Sequence, residues 1–172
     1  MQRFFKIKKN KNDENFIGMD TFWNSIKKNL KPKDQTKDQT KYSPFEDELD
    51  LFYICSLVGL KLKLKENVDN YELSDLTDTW TKNLSEKSKA KQYILAMLLN
   101  ITTKNHFNNK NKIQEIMNSF LDSTSSTSLS ASGLKELHQY CFGGYKRILK
   151  ECGNDTPSSL VVFLNKVKKI LD

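Results

Sequence analysis

The stretch LHQYCFGGYKRILKECG, residues 137–153, constrains the fold more than any other. It reads as most of a helix running over about 131–151, yet Gly143 and Gly144 stand side by side in its middle. A glycine inside a helix costs roughly 1 kcal/mol relative to alanine, and the chain has only six glycines in all. Two architectures accommodate the pair. In one, the missing side chains let a second helix cross closely, with Tyr140, Phe142 and Tyr145 packed around the gap. In the other, the pair breaks the helix in two.

The remaining segments are also helical in pattern. DTFWNSIKKNL places Phe22, Trp23, Ile26 and Leu30 at helical spacing behind Asp20 as N-cap, a short amphipathic helix over about 20–30 that docks on the body or on a partner. SPFE supplies Ser43 as N-cap, Pro44 at the first position and Glu46 at the third, a capping box. The nearly continuous apolar run LFYICSLVGL that follows predicts a buried central helix ending at Gly59 as C′ residue. KLKLK then alternates with period two, as a brief strand or an extended connection. A short helix is expected over 72–84 with Leu73, Leu76 and Trp80 inward, and a long one after Ser85 with Tyr93, Ile94, Met97, Leu98 and Ile101 on one face. KIQEIMNSFL is amphipathic, DSTSSTSLS (residues 122–130) is a loop, and Thr156 and Pro157 open the last helix. The expected class is all-α, a compact bundle of six or seven helices with a basic N-terminal arm.

Charge divides the chain. Residues 1–41 hold 11 Lys or Arg and 5 Asp or Glu, a net of +6, out of +7 for the whole chain. The expected organisation is therefore a basic arm over 1–41, with KDQTKDQT (33–40) as linker, and a nearly neutral helical domain over 42–172. Such arms meet nucleic-acid phosphates or acidic surfaces, or are simply solvated. The arm cations Arg3, Lys6, Lys8, Lys9 and Lys11, together with Lys146, Arg147 and Lys150 of YKRILK, are the candidate nucleic-acid contacts, with an ordinary solvated face as the blander and better reading of YKRILK. Arginine is scarce, 2 against 26 lysines, so contact with phosphates is expected without base reading. Phe22, Trp23, Ile26 and Leu30 are the candidate partner-binding residues.

Catalytic chemistry finds little support. His138 and Cys141 lie on one helical face with Cys152 further on, and only His106 is left as a fourth metal ligand; ordinary packing is the better reading. Glu46, Asp47, Glu48 and Asp50 fan around one helical turn at an N-terminus, where the helix dipole already accounts for them, instead of converging as nuclease carboxylates do. There is no phosphate loop, HExxH or nucleophile elbow. No enzyme activity, cofactor or metal is expected. Three cysteines form no paired framework, no apolar run reaches the roughly 18 residues of a membrane span, and MQRFFKIKKNKN lacks a secretory pattern. A cytoplasmic protein without a membrane partner is expected.

PFEDELDLFYICSLVGLKLKLK, LSASGLKELHQYCFGGYKRILKE and TPSSLVVFLNKVKKIL, taken in that order over about 44–171, are similar to small accessory proteins of bacterial antiphage systems. These include proteins encoded beside DNA phosphorothioation (Dnd-type) genes and the small middle subunits of three-component ATPase systems such as Lamassu. The resemblance implies a non-enzymatic helical subunit of an antiviral defence complex. Such a subunit docks on a larger ATPase or nuclease partner and helps hold it near DNA. A free-standing, sequence-nonspecific DNA-binding protein is the alternative.

Overall fold

The computed structural model describes residues 5–30, 48–76 and 84–172 except 126 and 154; the side chains of 27–30 and 84–88 are also outside the described set. Arg3, the linker 33–40, the capping box at 43–46, Trp80, and the side chains of Leu30 and Ser85 therefore lie outside the described residues. Among those described, six helices form: α1 (Met19–Leu30), α2 (Glu48–Leu62), α3 (Leu84–Thr103), α4 (Lys110–Phe120), α5 (Ala131–Glu151) and α6 (Leu160–Leu171). Strands β1 (Phe5–Asn10) and β2 (Tyr71–Asp75) pair antiparallel. The fold is thus mostly helical but not purely so, which corrects the all-α expectation.

Helix α2 is the hub. It touches α1, α3, α5 and α6, and Leu49, Leu51, Phe52, Cys55, Val58 and Leu60 are all buried. Burial on every side explains why its sequence is apolar without a clear stripe. Its closest partner is α5, which runs unbroken through the glycine pair. A methyl group on Gly144 would lie 2.0 Å from the Cys55 carbonyl oxygen, and one on Gly59 only 1.8 Å from that of Tyr140. A methyl group on Gly143 would meet the Leu64 carbonyl oxygen at 2.3 Å. Of the two architectures open to the pair, close crossing is the one adopted, and it is the reason Gly59 is not a C′ residue. α2 continues to Leu62, and Lys63 takes the left-handed position (φ 55°). The Leu64 N–H donates to the Gly59 carbonyl and the Lys63 N–H to that of Leu60, closing the end as a Schellman motif.

The outer helices follow their sequence signals. Asn109 caps α4 through the Lys112 N–H, and Ser130 caps α5 through the Gly133 N–H. The cap of α6 is Ser159, bonded to the Val162 N–H, and not Thr156, so that helix starts three residues later than expected. Gly153 (φ 73°) turns the chain after α5.

Ile7, Met19, Phe22, Trp23 and Ile26 belong to the core, so the described N-terminal residues are packed on the body and do not form a free arm. Phe22, Trp23 and Ile26 are buried against the body, and Ile7 is fully enclosed. Phe22 packs edge-on to Tyr145 and Phe163 at 5.7 and 5.9 Å. The partner-binding role expected of Phe22, Trp23 and Ile26 is thereby corrected: their partner is the chain's own interior. Residues 71–75 form β2 where a helix was expected, because Phe5–Asn10 offers them a ladder of hydrogen bonds that outweighs local preference.

Replacing Gly144 by alanine is expected to force α2 and α5 apart and cost about 3 kcal/mol or more in urea unfolding. A Gly144→Ala protein of unchanged stability would contradict the close crossing.

Candidate functional site

β1 sets where the N-terminal cations go. Its register slips between Ile7 and Lys9, a bulge that puts Lys8 and Lys9 opposite Glu72. Their ammonium groups lie 3.3 and 2.9 Å from the two carboxylate oxygens, and Lys9 first, then Lys8, hold that exposed carboxyl below its ordinary range. Lys11 donates to the Asp69 carbonyl at 2.8 Å. These three remain largely exposed to solvent, and pairs of this kind add little stability.

Lys6 behaves differently. Its ammonium sits between Asp20 of α1, at 2.6 Å, and Glu48 of α2, at 2.5 Å, with the side chain only 15% exposed. Burial opposes its charge, but the two carboxylates outweigh burial and raise its pKa. Lys6 is a tie between strand and helices, which corrects its assignment as a nucleic-acid contact. Glu48, read from sequence as a helix-end acid, is the other half of that tie.

His138 is enclosed by Phe5, Phe52 and Phe142, with ring centroids 5.4, 5.8 and 5.7 Å away. The Phe5 N–H donates to its Nε2 at 2.9 Å. Burial drives its pKa down to about 3, so the imidazole is neutral and accepts through Nε2. Cys141 donates to the Phe52 carbonyl at 3.7 Å, away from that nitrogen's bond, and burial pushes the Cys55 thiol up, which keeps it from being a nucleophile. No three His, Cys, Asp or Glu side chains gather in a metal-sized group among the described residues.

The remaining cations surround a cleft of about 660 Å³ between α5, the loop after α2 and the turn between β1 and α1. Lys146, Arg147 and Lys150 form one wall at helical i, i+1 and i+4 spacing. Phe16 and Tyr71 supply an aromatic floor, 5.4 Å apart, and Phe16 also meets Tyr145 edge-on at 6.0 Å. The turn is locally fixed: Asn10 and Asp13 side chains accept the N–H groups of Asn12 and Asn15, and the Tyr145 hydroxyl donates to the Ile17 carbonyl at 2.8 Å. The opposite wall is held by the Glu66 N–H, which donates to the Gln139 carbonyl. Lys146 reaches Glu66 at 3.0 Å and Arg147 reaches Glu151 at 3.4 Å, while Lys150 is exposed. Burial, then Glu66, raises the Tyr71 pKa.

Of the eight cations singled out in the sequence, three are brought together at this cleft, Lys8 and Lys9 stay on the small sheet and Lys11 in the turn after β1, Lys6 is internal and Arg3 is not described. Phe16 and Tyr71 were not singled out. Only their nearness to the α5 cations gives them interest, and no spacing in the sequence carries that. No protein-family model, curated protein or solved structure matches the chain.

Two outcomes follow for single residues. Lys6→Gln is expected to lose about 1–3 kcal/mol of stability by leaving two carboxylates facing each other, with affinity for DNA unchanged; lost affinity at full stability would reverse the assignment. For His138, the unfolded imidazole takes a proton near pH 6.5, whereas the folded one resists until about pH 3. Its contribution is therefore complete above pH 6.5 and declines as the pH falls through that window, by on the order of 5 kcal/mol in total. His138→Gln keeps an acceptor for Phe5 but does not titrate, so urea titrations of that variant should show a flatter stability profile between pH 6.5 and 5.

Proposed function

We propose that this chain is a non-enzymatic subunit of a prokaryotic antiviral assembly, docking on a larger ATPase or nuclease and touching DNA through phosphates. The observation that carries the reading is the wall of Lys146, Arg147 and Lys150 on the outer side of α5. These α5 cations face the cleft together with Lys65, while the catalytic-looking groups serve the core: His138 accepts a backbone bond, Cys55 and Cys141 are enclosed, and Glu48 holds Lys6. The apolar side chains left for a partner are not Phe22, Trp23 and Ile26 of α1, which are buried. Val161 and Leu164, 67% and 40% exposed, share one face of α6, and Tyr93 stands 68% exposed on α3; apolar surface of this kind suits a protein interface. No helix among the described residues is long and apolar enough to cross a membrane.

Pull-down with the products of neighbouring genes, and titration of duplex DNA at two salt concentrations, test the reading. Val161→Asp with Leu164→Asp should abolish capture of the partner. Changing Lys146, Arg147 and Lys150 to glutamine together should flatten the salt dependence of log K by about 0.9 per lost phosphate contact. Tight duplex binding with no partner captured would favour the free-standing DNA-binding alternative, and a chain that captures nothing and binds no DNA would overturn both.

A further inference from the structure

We propose that the cleft beside α5 binds a nucleoside phosphate unit, its base stacked on Phe16 and its phosphate held by Lys146 and Lys150. The proposal rests on the phosphate contact proposed above and adds a base to it. Three observations support it. The cleft is concave and about 660 Å³ in volume, within the range of pockets that enclose small ligands. Lys146, Arg147 and Lys150 line it along α5 and Phe16 and Tyr71 along the floor, so the two chemistries of a nucleotide meet separate partners, while Asp13, Lys65 and Glu66 complete the lining. Phe16 is half-buried, and Tyr71 and Tyr145 behind it, at 5.4 and 6.0 Å, hold the ring in place. A fixed ring loses little freedom when a base stacks on it.

The cationic wall is adaptable where it needs to be. Lys146 is 60% exposed and its Glu66 partner 20%, a part-exposed pair for whose ammonium an incoming phosphate competes with the carboxylate. Lys150 lies one helical turn further on, exposed and on the same side. Lysine fits this role: it offers a point charge without the rigid fork that would select one base or one orientation. A base inside a duplex is stacked on both faces and cannot reach Phe16. The site therefore takes a free nucleotide or an unpaired base in a single strand.

Binding of fluorescein-labelled oligo-dT, of a duplex with the same number of phosphates, and of unlabelled dTMP as competitor tests this with the full chain. Oligo-dT is expected to bind at least about tenfold more tightly than the duplex. Phe16→Leu keeps apolar volume without a stacking face, and should weaken oligo-dT by about 5- to 150-fold while leaving the duplex unchanged. Lys146→Gln with Lys150→Gln, both at the surface, should weaken both nucleic acids, and provides the test if Phe16→Leu does not fold. Displacement by dTMP at submillimolar concentration assigns the site to free nucleotides; displacement only by oligonucleotides assigns it to a strand. Equal binding of single strand and duplex, unaffected by Phe16→Leu, would overturn the stacking site while leaving the phosphate contact standing. Loss of neither nucleic acid in the double lysine variant would overturn both.

Discussion

Everything in this fold is arranged around the contact between α2 and α5. Where the two helices meet, Gly59 and Gly144 present backbone in place of side chains, and each faces a carbonyl of the opposite helix at a distance no methyl group would tolerate. The hydrogens there point at the Tyr140 and Cys55 carbonyls, weak contacts of the kind worth about 0.5–1 kcal/mol each. The larger gain is indirect. Close approach brings Phe52, Cys55, Val58 and Leu60 against Leu137, Cys141, Phe142 and Ile148 in one buried cluster, and dispersion falls off steeply with any gap. The roughly 1 kcal/mol that each interior glycine costs a helix is small beside that burial. It also explains why α2 ends on a lysine in the left-handed conformation: the glycine that would have ended it is occupied by the crossing.

The periphery is tied to this pair by polar groups used one at a time. Lys6 joins β1 to α1 and α2 through two carboxylates. His138 gives the first residue of β1 an acceptor, and Tyr145 holds the turn before α1. Each brings a buried or half-buried polar group to a matching partner, which is what makes its burial tolerable. The outer face of α5 carries Lys146, Arg147 and Lys150, the first two paired with Glu66 and Glu151.

Helix positions were largely legible. α5 runs over the expected residues, because Ser130, the apolar spacing and Gly153 agree on its limits. The N-terminal region differs from its expected arm for a physical reason. Phe5 and Ile7 alternate with Lys6 and Lys8 at period two, a pattern as compatible with a charged tail as with a strand, and the strand exists only because residues 71–75, more than sixty positions away, complete it. Amphipathic α1 read equally well as a docking helix, since spacing reveals an apolar face and never says what covers it. For the cleft, Lys146, Arg147 and Lys150 were visible as a cluster. Phe16 was not, because its place beside α5 depends on two Asx-type turns and a tyrosine hydroxyl bond, none of which has a distinctive pattern.

The bond between Phe5 and His138 spans 133 positions, and β1 lies at the opposite end of the chain from the helix that receives it. Contacts so distant in sequence form late. Until residues 71–75 reach it, β1 has no strand to pair with. A waiting strand with Phe5 and Ile7 on it is an invitation to foreign edges. Lys6, Lys8 and Lys9 alternate with or adjoin those residues, and charges flanking an apolar strand oppose such pairing. In the fold one is drawn between Asp20 and Glu48 and the other two settle on Glu72.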